Sequence, residues 1–482
     1  MPQNNSDTIS RRILKAMTLF GGVRVVSILC SIIRTKFVAL WLGPAGVGLF
    51  GLYNNVVDMI SSFSNLGMRD SCVRNIASEK SSYAIAVIIT VVRRWAMMLG
   101  ALGSLIALVL SPILSFATFG DYEHIWGFVA LSVVFLINSL TLGEEAVLQG
   151  TARLRRLARA SICGVVAGML VSIPMFYFWR LDSVIPSIIA YHATTGLFMW
   201  IWRNKDFKSE PVSLTRRETV TRGLGFIKVG TYMMVSSFVS LLCAYLFRSY
   251  LNNYYGTTDV GLFQAGFTLV SQYTGIIFAA MGVEYYPRLS KTIDSRKRTS
   301  LFVSTQINLL LTLLIPIIAV FIFASKWIVL LLYSSEFTSI EPYITMAMLG
   351  IVFRALSWGM AFTILAKGDG PTFIVTECVS AAVGLALKVL LFDTMGIAGL
   401  GVAFTAWYLV YVAIIYYVYR RRYRLTLHTS TFKLAIIAIA STAAMLFCHN
   451  REWLAAEVIL IILLAAISLT ILRKTASKTR KN

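Results

Sequence analysis

The residues best able to do chemistry here are ionisable side chains set inside long apolar runs. Five are basic: Arg24, Arg34, Arg248, Arg354 and Lys388. The acidic ones are Asp58, Glu144, Glu145, Glu284 and Glu377. On insertion scales a charge at the bilayer centre costs about 2.5–3.5 kcal/mol, so such a group faces a cavity or a partner. Arginine offers a planar fork of donors that matches phosphate oxygens, and the pairing is strong where water is scarce. The basic set therefore reads as a cationic cavity for a phosphate-bearing ligand. The competing reading is interhelical salt bridges or snorkelling helix ends. Arg24 and Arg34 are ten residues apart, about 80° around a helix and about 15 Å along it, so both can face one wide cavity at different depths. Asp58 is either a coupling site for a proton or cation, or the neutralising partner of Arg24 or Arg34. Glu144 and Glu145 lie close in sequence to Arg153 and Arg155, which suggests an inner-gate salt bridge. Trp358 follows Arg354 by four residues and shares its helix face. It either stacks on a sugar or packs against a neighbouring helix.

The elements that position these groups follow from composition. The 482 residues are 57% hydrophobic and 14% charged, with a mean hydropathy of +0.74. A soluble domain is about 25% charged, so a water-soluble enzyme and a disordered chain are both excluded. Fourteen apolar runs approach the 20 residues that a membrane helix needs, from Met17–Leu42 and Val47–Met68 to Leu434–Phe447 and Leu454–Leu472. They lack the ten-residue alternation of a membrane β-barrel. With the N-terminus in the cytoplasm, alternating segments place 33 of the 44 Lys and Arg inside and three, Arg180, Lys326 and Arg451, outside. That asymmetry is the positive-inside rule. It assigns most of the +22 net charge to topology and argues against a nucleic-acid partner. The N-terminus reads as a retained first helix, not a removed signal peptide. Six Cys and four His are scattered, which fits buried thiols better than a disulfide or metal framework. No P-loop, H-E-x-x-H, C-x-x-C or G-x-S-x-G occurs, so a primary ATP-driven pump and an enzyme are both disfavoured.

An internal repeat divides the chain. Val47-Gly48-Leu49-Phe50 recurs as Val260-Gly261-Leu262-Phe263, with Arg34 and Arg248 a similar distance upstream. Such repeats are common in secondary transporters, whose site lies between the halves. The expected organisation is an N-terminal six-helix lobe (1–203), a basic cytoplasmic linker (204–222) containing Pro211, a C-terminal six-helix lobe (223–425), and two additional helices with a basic tail (426–482). Pro112, Pro174, Pro186, Pro316 and Pro342 are candidate kinks for a rocking motion.

Taken in order, several short motifs carry a family resemblance. They are Leu42-Gly43-Pro44-Ala45-Gly46-Val47-Gly48-Leu49, then Asn65-Leu66-Gly67-Met68, Tyr285-Tyr286-Pro287-Arg288-Leu289, Ser335-Glu336-Phe337 and Gly396-Ile397-Ala398-Gly399-Leu400-Gly401. Over residues 10–425 the chain resembles the polysaccharide transporters, Wzx-type O-antigen flippases, of the multidrug/oligosaccharidyl-lipid/polysaccharide exporter superfamily. The resemblance implies an all-α, V-shaped pair of six-helix lobes in the bacterial inner membrane. It implies movement of an undecaprenyl-pyrophosphate-linked oligosaccharide to the periplasmic leaflet by alternating access, with no cofactor and a possible coupling ion, H+ or Na+. The implied partners are the lipid-linked substrate and membrane lipid, with a polysaccharide polymerase and chain-length regulator as further candidates. The rival readings are a cation-coupled multidrug extruder, a peptidoglycan-precursor flippase and a non-transporting assembly scaffold. Fourteen runs exceed the twelve usual in many members.

Overall fold

The computed structural model describes residues 3–64, 68–79, 81–203 and 214–481. The Asn65-Leu66-Gly67 motif, Lys80 and most of the basic linker, including Pro211, lie outside these. Among the described residues the chain forms fifteen α-helices and no strand. In a hydrocarbon solvent each backbone N–H and C=O must be satisfied within its own segment, and the helix does this. Eleven helical stretches of the described residues are long and apolar enough to span a membrane. Three of them, Gly22–Ser62, Leu154–Ile201 and Gly370–Arg421, each cover most of two of the apolar runs read from the sequence.

The first compact unit is Met1–Val260. It holds α1 (Gln3–Ser64), α2 (Met68–Ser78), α3 (Ser82–Phe119), α4 (Ile125–Gly150), α5 (Leu154–Trp179), α6 (Val184–Ile201) and α7 (Arg216–Tyr255). Glycine lets helices approach closely where no hydrophobic force drives them together. A Cβ on Gly164 of α5 would lie 2.9 Å from the Thr195 Cα of α6. The seventh helix, assigned from sequence to the second lobe, packs on α1, α2 and α3. Trp95 Nε1 donates to the Thr219 carbonyl at 2.8 Å, and Asn252 Nδ2 donates to the Thr118 carbonyl at 2.9 Å. The N-terminus of α7 is closed by a capping box, in which the Glu218 N–H donates to Thr215 Oγ1 and the Thr215 N–H donates back to the Glu218 carboxylate.

The second unit, Gly261–Asn482, follows on α8 (Thr257–Phe267), which spans the division. It contains α9 (Thr274–Ser290), α10 (Arg296–Phe323), α11 (Ser325–Leu332), α12 (Glu341–Ala366), α13 (Gly370–Arg421), α14 (Thr429–Asn450) and α15 (Leu454–Lys481). A π-helical turn, Thr268–Tyr273, joins α8 to α9. Helix α12 is central: Ile344, Ala347, Met348, Ile351, Val352 and Ala355 are fully buried. Around it pack α9, α10, α13 and α14. Elsewhere Val109, Ile113, Phe178, Leu331 and Ile436 are exposed, as expected where lipid is the solvent.

The breaks within long helices fall at glycines more than at prolines. Gly43 has φ 65°, ψ −167° and Gly396 has φ 62°, ψ −145°, regions open essentially to glycine alone. Helices α3, α5 and α10 continue through Pro112, Pro174 and Pro316. Gly256, between α7 and α8, has φ 97°, ψ 168°. It precedes Val260 by the same four residues that separate Gly43 from Val47, so the sequence repeat is also a repeat of backbone geometry. A second pair of breaks follows the fifth helix of each half, at Arg180 (φ 50°, ψ −128°) and at Gly396.

Candidate functional site

In the first unit, Arg34 of α1 is half-buried and held by rings. Its Cζ lies 4.1 Å from the centroid of Tyr191 on α6 and 5.0 Å from that of Phe50, beyond the Gly43 break. No hydrogen bond or ion pair to a described residue engages it. A cation over a ring face is attracted by the ring quadrupole, about 0.5–2 kcal/mol per contact, and this contact uses none of the five N–H donors. The break at Gly43 folds the second limb of α1 back so that Phe50 reaches Arg34. Arg180 at the other break donates to the Trp41 carbonyl at 3.0 Å, fastening the two bends of the unit together.

Arg24 is exposed, and none of the described contacts joins it to Arg34. Asp58 is also exposed, and its cationic neighbour is Arg248, not Arg24 or Arg34. Arg248 itself is buried and donates to the Ala244 carbonyl at 3.0 Å. The acidic pair of α4 departs from the expected pairing with Arg153 and Arg155. Glu144 takes a two-pronged contact from Arg93 of α3, at 2.5 and 3.0 Å, and Glu145 faces Arg69 of α2 at 3.3 Å. Sequence proximity favoured the loop arginines. The packing of α2 and α3 against α4 puts other arginines closer. Glu284 pairs with Arg288 one turn on, at 3.2 Å, on an exposed face.

The second unit repeats the ring-held arginine. Arg354 of α12 has its Cζ 4.8 Å from the Phe278 centroid and 5.8 Å from that of Tyr408. It donates one N–H to the Ser271 carbonyl at 3.1 Å. Ser271 lies in the π-helical turn, where the wider winding displaces carbonyls from their usual partners; such turns are frequent at functional sites. Tyr408 lies within electrostatic reach of both Arg354 and Glu377, and Glu377 accepts the Tyr411 hydroxyl hydrogen. Lys388 sits 4.6 Å from the centroid of Trp407, whose ring is 4.8 Å from that of Tyr408. The two cations and the acid therefore border one aromatic array on α13. Trp358 packs: its ring is stacked at 5.2 Å on Tyr285 and lies 4.9 Å from Phe362 and 5.7 Å from Phe278.

The sequence reading missed the rings. Phe50 stood out only as part of the repeat, and Tyr191, Phe278 and Tyr408 carried no signal there, because aromatic residues in membrane proteins are read first as an interfacial belt. Among the described residues no three His, Cys, Asp or Glu side chains converge as metal ligands do. In each unit the arrangement offers a fixed guanidinium with donors to spare, suited to an anion.

Comparison with known proteins places the chain. A family model described as "Polysaccharide biosynthesis protein" matches residues 37–342. The lipid III flippase of Escherichia coli (strain K12) is 23% identical over 434 residues, covering 85% of this chain and 99% of the relative. A structure of the lipid II flippase MurJ, in an inward closed conformation, aligns with a TM-score of 0.70 at 12% identity, over 96% of this chain and 99% of its own. An inward-facing multidrug resistance transporter of the MATE family, MOP superfamily, aligns with a TM-score of 0.66 at 14% identity, over 84% of this chain and 96% of its own. The fold is that of the MOP superfamily.

Proposed function

The chain belongs to the polysaccharide biosynthesis protein family, and from that premise we propose that it is a flippase for undecaprenyl-pyrophosphate-linked oligosaccharide repeat units. It is a multi-pass protein of the bacterial inner membrane. In this reading the glycan belongs to an O-antigen, capsule or related polymer, and alternating access carries it from the cytoplasmic to the periplasmic leaflet. The chain translocates its substrate without transforming it. A polymerase and a chain-length regulator act on what it delivers.

The observation that carries the reading is the pair of ring-held arginines. Arg34 and Arg354 are oriented by contacts that leave N–H donors available, and their described neighbours include no carboxylate to neutralise them. A pyrophosphate supplies the acceptors that such donors lack. Charge-assisted bonds of this kind contribute about 1.5–3 kcal/mol each. Arg24 and Arg248 would add to the cations of the first unit, and Lys388 to those of the second. Asp58 and Glu377 are the candidates for proton or sodium coupling, since each lies within electrostatic reach of a cation or its ring partner. A multidrug extruder of organic cations is disfavoured by the same arginines, which repel such cargo.

A peptidoglycan precursor is the second reading. It is supported by the same observation, because the pyrophosphate is common to both substrate classes and the guanidiniums meet that group first. The sugar decides between them.

The test is a flipping assay in proteoliposomes with lipid-linked oligosaccharide in the inner leaflet. Wild-type protein should expose it, and the double variant R34Q/R354Q should not, with both proteins eluting as folded material. Normal flipping by the variant overturns the cationic-site reading. In cells, loss of the chain should leave lipid-linked repeat units facing the cytoplasm and remove the surface polymer. Intact glycan with altered dye efflux would instead assign the protein to drug export.

A further inference from the structure

Away from the ring-held arginines, the second unit carries two clefts in tandem along α10. The first, of about 450 Å³, lies at the helix's N-terminal end. Arg296, Lys297 and Ser300 of α10 line it, together with Arg424, Thr426 and His428 of the α13–α14 connection. The second, of about 390 Å³, continues past Thr305 to Thr312 and is walled by Leu434 and Ile437 of α14 and Ile471 of α15. Lys433, near the start of α14, also lines it. Among the described residues no carboxylate lines either cleft.

The connection that supplies the first cleft is fixed in place. Arg424 is held in the left-handed region at φ 52°, a conformation that a non-glycine residue keeps only when its surroundings impose it. The constraints are visible: the Leu425 N–H donates to the Tyr419 carbonyl at 3.0 Å, the Ser300 hydroxyl donates to the Thr426 carbonyl, and the His428 N–H donates to Ser304 Oγ at 2.9 Å.

Basic residues at a membrane edge by themselves mark topology. Here they lie next to the second cleft, where Leu309, Leu434, Ile437, Ile471 and Leu472 form an apolar wall beside the polar Asn308 and Ser430. From Thr305 to Thr312 the helix advances about 10 Å, within the roughly 15 Å hydrocarbon depth of one leaflet. A cationic head followed by a cleft with an apolar wall matches an amphiphile with a negative head and a hydrocarbon tail. Basic pockets between membrane helices take anionic headgroups in this way. We propose that the tandem clefts bind an anionic phospholipid of the leaflet bordering the basic loops, with its phosphate on Arg296, Lys297 and Arg424 and one acyl chain in the α10–α14–α15 furrow.

The experiment is thermal unfolding of the full chain in detergent, titrated separately with phosphatidylglycerol, phosphatidylcholine and glycerol 3-phosphate. A ligand that binds the folded state raises Tm in proportion to the logarithm of its concentration. Phosphatidylglycerol should raise Tm, and the other two should not. The exposed-site variant R296Q/K297Q/R424Q should lose most of that rise while matching wild type in phosphatidylcholine. The furrow variant T305W/I437W should also lose it, with its cations intact. The single variants R296Q and R424Q give a graded loss, which keeps the test decisive if the triple variant fails to fold. A full rise in the single and triple charge variants, or in the furrow variant, overturns the proposal. An equal rise with glycerol 3-phosphate overturns it too, assigning the cleft to free phosphate.

Discussion

The Cζ of Arg34 lies 4.1 Å from the ring centroid of Tyr191, across 157 residues of sequence. The contact orients the guanidinium while leaving its N–H edge free. Two effects therefore separate by mutation. Tyr191→Phe keeps the ring face and should retain most transport. Tyr191→Ala removes it and should lower transport on the order of tenfold, the equivalent of about 1.4 kcal/mol, within the range of a partly desolvated cation–π contact. Arg34→Lys should fall between wild type and Arg34→Ala, since it keeps the charge and loses the fork. Initial flipping rates at matched folded protein check this. Equal rates for Y191F and Y191A remove the ring from the argument.

The Arg93–Glu144 pair is strongly asymmetric in burial, with Glu144 12% and Arg93 34% exposed. Removing the arginine leaves a nearly buried carboxylate without its partner. Removing both leaves none. Arg93→Met should destabilise by about 2–4 kcal/mol, and R93M/E144L by less, because unpaired buried charge costs more than the intact pair contributes. A double-mutant cycle on thermal unfolding measures the coupling. A double variant less stable than R93M excludes this account.

Acid stability should depend on Asp369, between α12 and α13. Burial opposes its ionisation, but bonds from Arg422 at 2.6 Å, Tyr423 at 2.8 Å and Thr372 outweigh burial and hold the carboxyl down at about 2. A depressed carboxyl contributes stability that is fully present above its unfolded value of about 3.9. That contribution is lost as pH falls through the folded value of about 2. Between pH 4 and 2 the wild type should lose Tm more steeply than Asp369→Asn. Parallel curves would show that the carboxylate has no such role.

Within the second unit a histidine ties the last two helices to each other and to α12. His449 Nδ1 lies 3.0 Å from Glu457 on α15, and Nε2 lies 3.4 Å from Glu341 on α12. Ser325 Oγ completes the cluster by donating to Glu341 at 3.0 Å. Glu457 is almost wholly buried. His449→Ala should cost about 1–3 kcal/mol, the desolvation of an unmet polar group. It should also expose the α14–α15 hairpin to limited proteolysis at a protease dose that spares the wild type. Unchanged cleavage kinetics would show that the hairpin is held by packing alone.

Element type was legible from the sequence because the bilayer imposes it. A long apolar run has only the helix as a stable answer, and the repeated V-G-L-F marked two places that share a backbone break four residues upstream. Partner choice was not legible. Glu144 met Arg93, 51 residues away, in place of nearby Arg153, because pairing is decided by which helix faces pack. The rings around Arg34 and Arg354 are likewise products of tertiary packing: a tyrosine in an apolar run looks the same whether it meets lipid or a guanidinium. The charges themselves were visible, because each is costly where it stands.

Arg180 stands at the bend where the other half of the chain has Gly396. One bend is thus made by a residue free of backbone strain. The other has accepted the strain in exchange for a side chain that laces Trp41 to its own turn. The two halves have therefore ceased to be interchangeable at their hinges. Swapping the residues would relax one corner and cramp the other, so this molecule turns on one stapled corner and one bare corner.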